Sequence, residues 1–322
     1  MKRPDPRYWS PYWRLPTITS FGTLFPDNYD GVMLEFWKRQ ISPDMRHIVD
    51  VACGNGALTW IANELTEGPE ASTRITGMDL ADIDPFSALN RHPAETPRIS
   101  FIGSTPAEQL PLADGSVDLV ISQYGIEYSD LDRSIPEIAR VLTDNGRMAF
   151  ILHDKESVIL EGATRNLADL QQIHREIRLH EICAEFDQLL RTDRNLKRLS
   201  ATAAYKALES RLLEAQYRLR ALLRGNPSNS QGARYEKLLH QAMELKAAKS
   251  ADQRTKLIKE AETGIRLHIE RVEDLSIAAR SAEDREKLVA LVERDGFRVM
   301  EMDVMRYKDG DNFGTTFVAQ RP

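Results

Sequence analysis

Ile48-Val49-Asp50-Val51-Ala52-Cys53-Gly54-Asn55-Gly56-Ala57 is the stretch on which the reading of this chain turns. A mostly apolar run ends in a string of small residues, and an amphipathic stretch opens directly behind them. That order predicts a strand, a tight loop and a helix start. Small residues are needed where a ligand approaches the backbone closely, and the first turn of a helix offers free N–H groups. One such loop is weak on its own, because many nucleotide-binding folds carry one. An acid at the end of the next strand strengthens it. Asp79 is that acid, 23 positions after Gly56, near the ~20-residue spacing at which such an acid reaches ribose hydroxyls.

Outward from this stretch, short apolar runs alternate with amphipathic ones. Strands are predicted at 47–52, 74–79, 99–103, 117–123 and 147–153, with helices between them at 56–66, 84–91 and 134–143. Strands alternating with helices give parallel βαβ units. Their nearly continuous apolar character fits a sheet covered on both faces. Further on, Ser281-Ala282-Glu283-Asp284 has the form of a helix start, and Asp295-Gly296 that of its end. Strands follow at 297–307 and 313–319 around a turn-rich 308–312. The expected fold is a doubly wound, mostly parallel, seven-stranded Rossmann-like α/β sheet, built from residues 46–154 and 281–322.

Two segments fall outside that pattern. Residues 1–45 form an aromatic N-terminal arm, where Tyr8, Trp9, Tyr12, Trp13, Phe21, Phe25, Tyr29, Phe36 and Trp37 supply nine of the 23 aromatic rings. Such an arm is either stapled to the domain by ring burial or a lid over a ligand, and one does not exclude the other. Residues 155–280 read as an α-helical, coiled-coil-like insertion broken by one linker, Gly225-Asn226-Pro227-Ser228-Asn229-Ser230-Gln231-Gly232. Apolar stripes recur at Leu208, Leu212, Ala215, Leu219 and Leu222, at Ile258, Ala261, Ile265, His268 and Val272, and at Leu167, Leu170, Ile173 and Ile177. They pack helix on helix, either internally or as a homo-oligomer. The insertion holds 23 basic and 18 acidic residues, a balance of +5 that leaves −11 for the rest. Its basic excess lies in 191–224, including Arg191, Arg194, Arg198, Arg211 and Arg220. A solvated helical face is the plainer meaning, a docking face for an acidic partner the sharper one.

Composition sets the outer limits. The 322 residues are 42% hydrophobic and 29% charged, enough for a sizeable core. A net charge of −6 gives no general attraction for polyanions, so nucleic acid is not the expected partner. Two cysteines, Cys53 and Cys183, make no disulfide framework, and no Cys/His cluster suggests a metal. Neither a signal peptide nor an apolar run of the ~20 residues needed for a membrane span is evident. The expected location is the cytoplasm.

The chain resembles the class I S-adenosylmethionine-dependent methyltransferases, in particular their small-molecule branch. The matching elements are Val49-Asp50-Val51-Ala52-Cys53-Gly54-Asn55-Gly56, Gly77-Met78-Asp79, and Ala107 to Val120 with its Glu108-Gln109-Leu110-Pro111-Leu112-Ala113-Asp114-Gly115-Ser116 run. Glu137 to Leu142 and Asn145-Gly146-Arg147-Met148, matching the helix and the turn before the family's fifth strand, complete the set. The resemblance covers about 46–153 and, more loosely, 281–320. It implies S-adenosyl-L-methionine as cofactor, S-adenosyl-L-homocysteine as product and no metal. By the same resemblance Ala52, Cys53, Gly54, Asn55 and Gly56 lie against the methionine part, with Asp50 ordering the loop. Asp79 then takes the ribose hydroxyls and Leu80 packs on adenine. Ala107, with Thr105 or Glu108, lies at the adenine edge. Gln123 and Tyr124 face the sulfonium, and Tyr29 the cofactor carboxylate. Ala52 stands where the first glycine is usual, and Pro106 where an acid often caps the adenine amino group.

Methyl transfer from a sulfonium needs alignment of the nucleophile and exclusion of water. A base is required only for a protonated nucleophile. Ligands of an open parallel sheet bind beyond the carboxyl ends of its strands, which nominates Tyr124, Glu127, Tyr128, His153 and Asp154. His153 is preferred, since its ordinary pKa of ~6.5 suits proton transfer. A satisfied strand-end histidine is the alternative. Signatures for planar amino groups, cytosine carbons and catechol-type magnesium sites are absent, which favours a small-molecule, lipid or sugar acceptor. Three competing readings are a protein or nucleic-acid methyltransferase docked by the insertion, a non-catalytic S-adenosylmethionine-binding oligomeric scaffold, and a nicotinamide dehydrogenase. The last lacks the third spaced glycine.

Overall fold

The computed structural model describes residues 6–21, 25–68, 70–193, 195–245, 250–307 and 310–322. Residues 1–5, Arg194 and residues 308–309, all used in the sequence reading, lie outside the described residues, as does the side chain of Tyr8. The chain divides into two compact units, 1–161 with 274–322, and 162–273.

In the first unit seven strands form one sheet in the order β3-β2-β1-β4-β5-β7-β6. They are β1 (His47–Val51), β2 (Arg74–Met78), β3 (Ile99–Ile102), β4 (Val117–Gln123), β5 (Leu142–Leu152), β6 (Arg298–Tyr307) and β7 (Asp311–Gln320). β1 to β5 pair in parallel, while β7 runs antiparallel to β5 and to β6. Side chains alternate between the two faces as the strand period of two requires. Ile48, Leu119, Ile121, Ala149 and Ile151 enter one core with Trp37 of α2 (Gly31–Gln40) and Trp60 of α3 (Ala57–Leu65). Val49, Val51, Val120, Met148 and Phe150 enter the opposite core. Ile135 of α5 (Leu131–Val141) and Leu288 of α12 (Ala282–Arg294) close that second face. Both faces being covered, the apolar runs are continuous.

Several boundaries shift by one to three residues from the sequence reading, α5 starting at Leu131 and not at 134, and two elements differ in kind. The helix expected over 84–91 is one turn, α4 (Pro85–Ala88), and the chain turns left-handed at Asn90. The strand expected from 147 begins at Leu142, directly after α5. Pairing jumps from Val117↔Leu142 to Leu119↔Arg147, so Asn145-Gly146 forms a bulge inside β5 and not a turn before it. The arm begins with α1 (Pro6–Trp13), which precedes α2.

The second unit is helical, and the sequence pattern placed at 155–280 is compact over 162–273. Its helices are α6 (Val158–Gln172), α7 (Leu179–Thr192), α8 (Leu196–Ser200), α9 (Ala203–Gly225), α10 (Ser230–Glu244) and α11 (Ala251–Ala278), of which α6 and α11 begin or end in the first unit. Ala215, Leu219, Ile258, Ala261, Ile265 and Ile173 share one core, so the apolar stripes converge within the chain. Asn229 caps α10 by accepting the Gly232 N–H at 2.9 Å, which explains the linker composition. Fully buried Arg254 is held by Asp187 and the Leu245 carbonyl, both at 2.6 Å. No described helix is long and apolar enough to cross a membrane.

Candidate active site

The order of the sheet reverses between β1 and β4, and the carboxyl ends of these strands open a crevice there. Its floor is the loop after β1. Ala52 and Gly54 both take left-handed backbone, at φ 58° and 54°. A Cβ at Gly54 would stand 2.5 Å from the Trp13 ring, so only glycine admits that contact. Asp79, just past β2, binds this loop: Oδ2 accepts the Gly54 N–H at 2.7 Å, and Oδ1 accepts the Ala81 N–H at 2.8 Å. Burial raises the Asp79 carboxyl to about 6. Asp50 is held by the Thr59 hydroxyl at 2.7 Å, and burial raises its carboxyl to about 7.

Two adjoining hollows result. One is walled by Ala52, Asp79, Leu80, Ala81, Gly125 and Trp13. The other is walled by Tyr29, Asp50, Gln123, Tyr124, Tyr128 and His153 among others. Trp9 and Trp13 line both, so the arm forms part of the ceiling. The arm is tied down where Asn55 Nδ2 donates to the Leu15 and Thr17 carbonyls at 3.2 and 2.8 Å. Arg14 pairs with Asp82 at 2.7 Å.

The groups after β4 and β5 meet on one side of the deeper hollow. The His153 ring stacks on Tyr124, centroids 4.4 Å apart. Burial lowers the imidazole to about 3, so the ring is neutral. Glu127 is fully buried; its Oε1 accepts the His153 N–H at 2.7 Å, and burial lifts its carboxyl to about 7. Tyr124 donates its hydroxyl to the Phe313 carbonyl at 2.7 Å, which leaves its ring face as the group it offers. Glu127 Oε2, His153 Nδ1 and Arg280 Nε are buried without a hydrogen-bond partner among the described residues.

Thus Ala52, Cys53, Asp50, Asp79, Leu80, Gln123, Tyr124, Tyr29 and His153 all line the hollows. Glu127 stands behind them through its bond to His153. Gln123 accepts from Trp37 Nε1 at 2.5 Å. Gly56 abuts Phe101 instead, and the Asn55 side chain serves the arm. Thr105 reaches the site only through its N–H to the Asp79 carbonyl, at 2.8 Å. Ala107 is packed in the α5-side core. Glu108 accepts the Asp130 N–H at 3.0 Å, at the start of α5. Arg280 was not legible as a site residue: its Nη2 donates to the Glu127 carbonyl at 2.5 Å and its N–H to the His153 carbonyl at 2.8 Å. Nothing in its sequence neighbourhood signals a contact with residues more than 100 positions away. Among the described residues no three His, Cys, Asp or Glu side chains are grouped to hold a metal ion.

Residues 49–150 match the family model described as a methyltransferase domain. An uncharacterized methyltransferase of Mycobacterium tuberculosis is 30% identical over 129 residues, 39% of this chain and 46% of that protein. A malonyl-[acyl-carrier protein] O-methyltransferase of Geobacter sulfurreducens is 38% identical over 106 residues, 33% of this chain and 38% of that protein. The chain therefore spans under half the length of these curated relatives. Among solved structures, geranyl diphosphate C-methyltransferase of Streptomyces coelicolor aligns at TM-score 0.34 and 18% identity, over 46% of this chain and 66% of that one.

Proposed function

We propose that the chain is a class I S-adenosylmethionine-dependent methyltransferase that moves a methyl group to a small-molecule, lipid or sugar acceptor, a reading supported by the match of residues 49–150 to a methyltransferase domain. The observation that carries this reading is the bond between Asp79 and the Gly54 N–H, which joins the acid after β2 and the loop after β1 into one cradle.

The residues fit that cofactor. Each Asp79 oxygen accepts one backbone N–H and keeps a lone pair for a ribose hydroxyl. Leu80 offers an apolar wall beside it. Bare backbone at Ala52 to Gly54, with Asp50, Gln123 and Tyr29, would hold the amino-acid end. When bound, the cofactor supplies a methyl group already made electrophilic by its sulfonium. The chain's own work is to align the acceptor and keep water out, which the rings of Trp9, Tyr124, Tyr128 and His153 are placed to do. Where the acceptor carries a proton, Glu127, bonded to the His153 backbone N–H behind the hollow, is matched by basicity to receive it near neutral pH.

A docking role for the helical unit has less support. Arg191, Arg198, Arg211 and Arg220 are ion-paired with Asp187, Asp193, Glu185 and Glu236 of the same unit, so part of the basic excess is neutralised locally.

Calorimetry with S-adenosylhomocysteine tests the proposal. The native chain is expected to bind, and Asp79→Ala to lose on the order of 100-fold in affinity, as two hydrogen bonds to a charged group disappear. Unchanged affinity in the variant, or no binding by the native chain, rejects the reading.

A further inference from the structure

Resting on the methyltransferase reading, we propose that the Trp13 indole is a built-in plug of the cofactor cradle: it lies on the side-chain-free face of Gly54 and has to swing aside before S-adenosylmethionine takes that place. Three ring atoms define the contact. Cζ2, Cε2 and Cη2 of Trp13 stand 2.5, 2.6 and 2.7 Å from the point that a Cβ of Gly54 would occupy. Such nearly equal distances to three successive ring atoms put that point over the ring and not at its rim. The face of the indole therefore covers Gly54, whose N–H donates to Asp79 Oδ2 at 2.7 Å.

Two groups cannot share this face. A residue without a side chain suits a place where a ligand approaches the backbone closely, and the methyltransferase reading gives that approach to the cofactor. The ring holds it instead, and its neighbours brace it. Trp9 stacks beside Trp13 with centroids 6.2 Å apart and planes at 20°, and Tyr12 meets it at 4.9 Å and 75°.

The backbone around the ring is tied to the loops on both sides of the crevice. Ser10 Oγ accepts the Asp82 N–H at 3.0 Å, and Arg14 pairs with Asp82 at 2.7 Å. The Leu15 and Thr17 carbonyls accept from Asn55 Nδ2 at 3.2 and 2.8 Å. With the backbone fixed by these ties, rotation of the Trp13 side chain between its staggered positions is the motion that uncovers Gly54. A ligand that binds only the uncovered state has its affinity reduced by the fraction of molecules in that state. The plug thus sets how readily the cradle fills.

Calorimetry with S-adenosylhomocysteine on the full chain and on Trp13→Ala, each with and without free indole, tests this. Removing the ring is expected to tighten binding by on the order of tenfold, and Trp13→Leu, which keeps a smaller apolar side chain, should fall between. Free indole should refill the seat in Trp13→Ala and weaken its binding, while the native chain, whose seat is taken, responds little. A ring that packs against the bound cofactor gives the opposite signs: Trp13→Ala binds more weakly, and free indole restores it. That result, or equal affinity of the native chain and Trp13→Ala, overturns the plug while the methyltransferase reading stands. Failure of the native chain to bind S-adenosylhomocysteine removes that reading, and this one with it.

Discussion

Glu127 shows how much a single position contributes that no motif announces. It follows β4 by four residues and is fully buried, with its carboxyl moved from an ordinary 4.5 to about 7 by desolvation. A raised acid pKa means the native state holds its proton more tightly than the unfolded chain. Its contribution to stability is therefore fully present below 4.5 and is lost as pH rises through about 7. Glu127→Gln keeps an acceptor for the His153 N–H and removes the buried charge. Thermal unfolding should find this variant more stable than the native chain at pH 8, by an amount on the order of 3 kcal/mol, with the difference shrinking as pH falls toward 4.5. A stability gain independent of pH would show that the carboxyl is not so perturbed. Asp79 and Gly54, by contrast, were legible from spacing alone, because a strand-end acid and a side-chain-free loop are local requirements. Glu108 was legible as part of a motif, yet its carboxylate serves Asp130. Sequence places a residue on a loop without fixing which neighbour its side chain meets.

At the scale of elements, short-range chemistry set the boundaries it could reach. Ser281 accepts the Asp284 N–H at 3.2 Å, and Asp284 accepts the Ser281 N–H at 3.0 Å, the reciprocal cap expected from Ser281-Ala282-Glu283-Asp284. Denaturant titration of Ser281→Ala should show a loss of about 1 kcal/mol, and no measurable loss would mean that α12 is held by packing alone. Asn145-Gly146 misled because bulge and turn share the same residue preferences, and only pairing with β4 separates them. The arm was read as stapled, as a lid, or as both. Its rings line the hollows while Asn55 and Asp82 tie its backbone and Arg14 to the loops after β1 and β2. Binding of S-adenosylhomocysteine should accordingly shift tryptophan emission, and Trp13→Phe should abolish most of the shift; emission that ignores the ligand would place the arm off the site.

For the whole molecule, each of the two units has cores of its own. Separate cores favour separate unfolding steps. Differential scanning calorimetry is expected to resolve two transitions, of which S-adenosylhomocysteine raises one, because a ligand stabilises only the unit that binds it. A single transition, or two that move together, would reject that independence. The alternation of apolar and amphipathic runs determined the sheet and its helices, since periods of 2 and 3.6 are written residue by residue. The heptad stripes likewise determined that the insertion is helical. Sequence left open whether those stripes meet inside the chain, and tertiary structure decided it: Ala215, Leu219, Ile258 and Ile265 bury one another. It alone joined Trp9, Tyr128 and His153 around one hollow, with Glu127 bonded to the His153 backbone behind them. Local periodicity is a property of neighbours in the chain. A binding site is assembled from residues whose separation in sequence carries no energy until the core brings them together.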